Sequence, residues 1–239
     1  MTEARQPEGV GESPAELRRT LTRQFVTVMD TVTINDWAIE LLRPRNSDDL
    51  ISEADFVLDE RLPYWADLWP SSRILATYLL EVGAPPSPSR PKLLELGCGL
   101  GLVTVAAMRA GFDVLATDYY HDALRFTRAN ASHALHSEPA TRHVDWRHFP
   151  GDLRGYDRVV AADVLYEKEY PPLLSAAIAQ TLTRDGEAII ADPGRVAAPE
   201  FLAGLAVHGL TVVDWGMRRF DEGVIHQMIT LYRVKRVSG

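Results

Sequence analysis

Lys92 to Asp118 reads KLLELGCGLGLVTVAAMRAGFDVLATD, the stretch that most narrows what this chain can fold into. A β-run ends at Leu96, glycines follow at 97, 99 and 101, an apolar helical pattern continues to about 110, and a second β-run ends on Asp118. Glycines after a strand let the backbone turn tightly and let a ligand approach the amides that open the next helix. The rhythm continues with a helix near 121–135, RHVDW and YDRVVAA as strands, a helix near 169–183, and GEAIIAD as a strand. Such alternation predicts an α/β, doubly wound, mostly parallel sheet, because each crossover helix must cover the sheet it returns along. LTVVDWGMRRF and VIHQMITLYRV have no helix between them, so they are expected to pair antiparallel at one edge of the sheet.

Ahead of this core, Ser13, Pro14 and Glu16 stand at capping-box positions and predict a helix over 14–22. Residues 24–42 read as two β-rich runs around Asn35-Asp36, a hairpin. In LWPSSRILATYLLE, Pro70 suits a first helical position, and Ile74, Leu75, Tyr78 and Leu79 share one face. The expected organisation is disorder over 1–13, an N-terminal helix, hairpin and covering helix over 14–82, a Pro/Ser-rich connector over 83–91, and the core over 92–239, all in one structural domain.

No apolar run approaches the roughly 20 residues of a membrane helix, and the N-terminus lacks the apolar centre of a secretion signal, so no membrane association and a cytoplasmic location are expected. One cysteine, Cys98, excludes an internal disulfide and a cysteine-based zinc site, and the scattered histidines suggest no metal. A net charge of −8 argues against sequence-independent nucleic-acid binding and suits a basic substrate.

The glycine spacing selects between ligand classes. It runs G-x-G-x-G, with Leu at 102, rather than the G-x-G-x-x-G of dinucleotide folds. Asp118 ends its strand 17 residues after Gly101, where a carboxylate can accept both hydroxyls of a ribose. Glu95, two residues ahead of the loop, would repel a pyrophosphate and suits the ammonium or sulfonium end of a ligand.

With the loop, Asp118, RHVDW and AADVLY, the chain resembles the lysine methyltransferase-like family of class I methyltransferases (methyltransferase family 16) over residues 60–235. YWADLWPSSRILATYLLE and ADPGR look most like its electron-transfer-flavoprotein β-subunit lysine methyltransferase branch. The resemblance implies a seven-stranded Rossmann-like sheet and S-adenosylmethionine as cofactor. It matches Gly97, Gly99 and Gly101 to the glycine loop, Asp118 to the ribose acid, and Trp146 to the aromatic beside the adenine, with Asp145 able to accept the adenine amine. It also matches Trp69 and Ala162 to cofactor-contacting positions; Trp65 has no such match.

Asp163 and Tyr166 follow the fourth β-run of the core, at the sheet edge where such folds bind ligands, and are the expected catalytic pair. Methyl transfer to lysine needs a neutral amine held in line with the methyl, and an unperturbed lysine is mostly protonated at neutral pH. The two side chains could orient that amine. D-V-L-Y lacks the prolines with which N-P-P-Y and D-P-P-Y enzymes hold planar amines. A protein substrate presenting a lysine is the expected partner; a small-molecule N- or O-methyltransferase and a non-catalytic S-adenosylmethionine-binding partner protein are the alternatives.

Overall fold

The computed structural model describes residues 12–50 and 62–237. The expectation of disorder over 1–13 falls almost wholly outside them.

Helix α1 (Pro14–Gln24) begins as its sequence dictates: the Ser13 backbone N–H and hydroxyl donate to the Glu16 carboxylate at 2.9 and 2.6 Å, and Ser13 Oγ accepts from the Glu16 amide. Leu17 and Leu21, one turn apart, bury their side chains with Phe126 and Ala129. Strands β1 (Thr27–Ile34) and β2 (Trp37–Pro44) form the hairpin, turning at Asn35 with φ 52°. Their alternation buries Val32, Ile34, Ile39 and Leu41, while the residues between face outward.

Helix α2 (Pro70–Val82) starts at its proline and buries Leu75 and Leu79, with Ile74 and Tyr78 half-buried on the same core. It ends at Gly83, and residues 83–91 carry no helix or strand. The core follows as β3 (Lys92–Leu96), α3 (Leu102–Arg109), β4 (Asp113–Asp118), α4 (His121–Leu135), β5 (Ala140–His143), β6 (Tyr156–Ala162), α5 (Tyr170–Thr181), β7 (Leu182–Asp192), α6 (Ala198–Val207), β8 (Leu210–Glu222) and β9 (Ile225–Arg236). The seven-stranded sheet has the order β5-β4-β3-β6-β7-β9-β8. Strands β3 to β7 run parallel to one another, and β9 runs antiparallel between β7 and the edge strand β8. One face packs against α2, α3 and the hairpin, the other against α5 and α6. The order of strand addition reverses between β3 and β6, which opens a crevice at the carboxyl ends of those strands.

Two details depart from the sequence reading. The strand expected over RHVDW stops at His143, and Asp145 accepts a hydrogen bond from the Arg147 amide at 3.0 Å, capping a 3-10 turn over Trp146–His148. A side chain that bonds its own backbone competes with a ladder in this way. Helix α6 was not anticipated, because Gly204 and two flanking glycine- or proline-bearing turns mask its pattern. A Cβ on Gly204 would sit 2.8 Å from Ser175 Oγ, so the glycine is what lets α6 close on α5.

Candidate active site

A cavity of about 980 Å³, open mouth included, lies at the carboxyl ends of β3, β4 and β6. Trp69, Glu95, Gly97, Gly99, Asp118, Asp145, Trp146, Ala162, Asp163 and Tyr166 all line it. Gly101, grouped with them from sequence, does not. Its φ is 85° and a Cβ there would meet Thr127 Cα at 2.8 Å, so this glycine serves the approach of α3 to α4.

The other two loop glycines also have positive φ, 80° at Gly97 and 52° at Gly99, with Val164 and the Trp65 carbonyl pressing on the places their Cβ atoms would take. Asp118 organises the loop: one carboxylate oxygen accepts from the Gly99 amide and the other from the Tyr120 amide, both at 2.9 Å. Burial pushes its carboxyl up, against the pull of those amides.

Glu95 is 2% exposed and accepts a hydrogen bond from the Thr104 hydroxyl. Among the described residues it forms no salt bridge, and burial pushes its carboxyl up to about 8. A buried acid without a cation is costly, and a cationic ligand would relieve that cost. Asp145 is the opposite case. Burial raises its carboxyl, but hydrogen bonds from Arg147 and His148 outweigh that and hold it down at about 2.

Five rings make consecutive contacts around one side of the cavity. Trp69 meets Tyr64 at 5.9 Å, Tyr64 meets Tyr166 at 5.2 Å, Tyr166 meets Tyr170 at 5.3 Å, and Tyr170 meets Trp146 at 5.3 Å, every pair edge-to-face. The Trp69 indole N–H donates to the Tyr64 carbonyl at 2.9 Å, fixing the first pair. Tyr166 is 39% exposed at the mouth, with its hydroxyl held neutral chiefly by burial of its environment.

Asp163 is 5% exposed and sits in the left-handed region at φ 58°. Its amide donates to the Ala191 carbonyl at 2.9 Å. One carboxylate oxygen accepts from Arg195 Nε at 2.7 Å and lies 2.6 Å from Arg195 Nη2, and the other accepts from Ser71 Oγ at 3.2 Å. Sequence reasoning did not connect Arg195 to Asp163. It also missed Tyr64, Tyr170 and Ser71, and set Trp65 aside, although Trp65 lines the cavity. The density of aromatics over 64–69 is the one local signal that pointed to this wall.

A doubly wound sheet with a glycine loop, a strand-end acid and a cavity at the switch point is a Rossmann-like methyltransferase fold. The solved structure of magnesium protoporphyrin IX methyltransferase from Synechocystis PCC 6803 superposes with a TM-score of 0.57 at 17% identity, covering 78% of this chain and 94% of that one. A family model described as lysine methyltransferase matches residues 64–203, and the chain belongs to that family. The chain is 31% identical over 135 residues to the electron transfer flavoprotein beta subunit lysine methyltransferase of Danio rerio, covering 56% of this chain and 51% of that protein. It is also 31% identical over 152 residues to the protein N-terminal and lysine N-methyltransferase EFM7 of Cryptococcus neoformans, covering 57% of this chain and 50% of that protein. The chain spans about half the length of the curated relatives it matches. No helix among the described residues is long and apolar enough to cross a membrane, and no group of three or more potential ligands among them could hold a metal ion.

Proposed function

We propose that this protein methylates the side-chain amine of a lysine in another protein, using S-adenosylmethionine. The observation that carries the reading is the continuity of two half-sites in one cavity: an acid-and-glycine half at Glu95, Gly97, Gly99 and Asp118, and an aromatic half that ends on Asp163 and Tyr166. Membership of the lysine methyltransferase family supports the choice of acceptor.

The residues fit the cofactor. Glu95, buried without a cation, would face its positive amino-acid end, and the second lone pairs of Asp118 are available to ribose hydroxyls. Asp145 and Trp146 would flank the adenine, with Trp69 and Ala162 against the rest. When bound, S-adenosylmethionine supplies a methyl on a sulfonium, whose C–S electron pair stays on sulfur as the N–C bond forms.

The chain's own residues then have two tasks. The rings of Tyr64, Tyr166 and Tyr170 wall one side of the entrance and would help exclude water around the amine. Asp163 and Tyr166 offer oxygen atoms to the amine's hydrogens and so aim its lone pair. The ammonium's proton leaves to solvent through the mouth before attack.

Labelled S-adenosylmethionine incubated with the protein and a cell lysate, with label located by mass spectrometry, tests this. Label on a protein lysine is expected. Label confined to small molecules overturns the choice of acceptor, and binding without transfer overturns the enzyme reading.

A further inference from the structure

Asp163 is the acid that the proposed function sets beside the acceptor amine, and it is already paired. Both guanidinium contacts go to its Oδ1, at 2.7 and 2.6 Å, and Ser71 occupies Oδ2. Arg195 itself is held from three directions. Its amide and that of Gly194 donate to Asp192 Oδ2 at 2.9 and 2.7 Å, its side chain reaches Asp163, and its guanidinium lies 5.5 Å over the Trp69 ring. The loop after β7 is therefore built to bring a cation to Asp163.

That arrangement bears on a conflict in the chemistry. An unpaired carboxylate beside a lysine stabilises the ammonium and raises its pKa by about 1–3 units, whereas attack on the methyl requires the neutral amine. A carboxylate balanced by a guanidinium still accepts hydrogen bonds but presents almost no net charge. We infer that Arg195 is a positioning residue that cancels the charge of Asp163, so that the site binds the acceptor lysine without locking it as an ammonium.

The charged and titratable groups facing Asp163 are Arg195 from the loop after β7 and Asp192 from the end of β7; Ser71 from α2 adds a neutral hydroxyl. Asp192 is set apart from the acceptor position: it is 1% exposed, lies outside the cavity lining, and spends Oδ2 on the two loop amides.

This inference rests on the lysine-methylation reading. Its test is the pH profile of kcat from pH 6 to 10, with labelled S-adenosylmethionine and the acceptor protein isolated in the labelling experiment. In Arg195→Met the acidic limb should move up by one pH unit or more, giving about a tenfold loss at pH 7 that vanishes near pH 10. Arg195→Lys, which keeps the charge but not the fork, should shift the limb less. In the double variant Arg195→Met, Asp163→Asn the limb should return to its wild-type position even if the plateau is lower. Calorimetric titration with S-adenosylhomocysteine, expected within about twofold of wild type, checks that the cavity is intact. A loss of rate equal at every pH, or a limb that stays in place in Arg195→Met, overturns the role of Arg195. Failure of the wild-type protein to methylate any protein lysine overturns the underlying reading instead, and the inference with it.

Discussion

The side chain of Asn130 pairs with the main chain of Leu42 as a strand would: Oδ1 accepts from the Leu42 amide at 2.7 Å and Nδ2 donates to the Leu42 carbonyl at 2.9 Å. Nδ2 also donates to the Leu100 carbonyl at 2.9 Å, so one buried residue of α4 ties the hairpin to the glycine loop.

Asn130→Ala leaves three buried backbone groups without partners. The expected cost is about 3 kcal/mol, read as a lowered Tm or denaturation midpoint, with weaker cofactor binding because the loop loses its anchor. Stability within about 0.5 kcal/mol of wild type would show that the hairpin is not held through this residue.

Glu95 predicts a pH dependence of stability in the ligand-free protein. Its folded carboxyl is raised from 4.5 to about 8, so its stabilising share is fully present below pH 4.5 and is lost as pH rises through 8. Glu95→Gln removes that loss. The variant should gain on the wild type by up to about 4 kcal/mol between pH 5 and pH 9, roughly 10 °C in Tm, while binding S-adenosylmethionine more weakly. A Tm difference that is constant across this range would contradict the buried-acid account.

On the proposed function, Asp118 and Asp163 should separate binding from transfer. Asp118→Ala removes the acceptor for the Gly99 and Tyr120 amides and should weaken S-adenosylmethionine binding at least tenfold in calorimetry. Asp163→Asn should leave cofactor affinity within a few fold and slow transfer by about 100-fold, on the order of what positioning groups supply. Equal losses of binding in the two variants would undo this division.

Gly101→Ala places a Cβ 2.8 Å from Thr127 Cα at a φ of 85°. A destabilisation of about 2 kcal/mol or more is expected in chemical denaturation. A neutral effect would mean that α3 and α4 can move apart, and that Gly101 is not the spacer between them.

The local signals were read correctly because they are local. Capping by Ser13 and Glu16, the turn at Asn35, the proline start of α2, the glycine loop and the strand-end position of Asp118 each depend on residues a few places apart. The same locality explains the misses. Asp145 looked like strand because its neighbours are β-formers, but its side chain bonds the backbone and ends the ladder. Helix α6 was hidden by Gly204, a residue that weakens a helix in isolation and becomes necessary only where Ser175 packs against it.

Sequence alone therefore determined the α/β class and the place of the glycine loop, since periodicity and glycine spacing are properties of the chain itself, and its motifs carried the family resemblance. Tertiary structure alone decided what stands around the acceptor position. Tyr64, Tyr166 and Trp146 come from three separate loops, and Arg195 reaches Asp163 across 32 residues of chain. They meet because parallel strands deliver all their carboxyl ends to one edge of the sheet, so that residues remote in sequence share a single low-dielectric cavity.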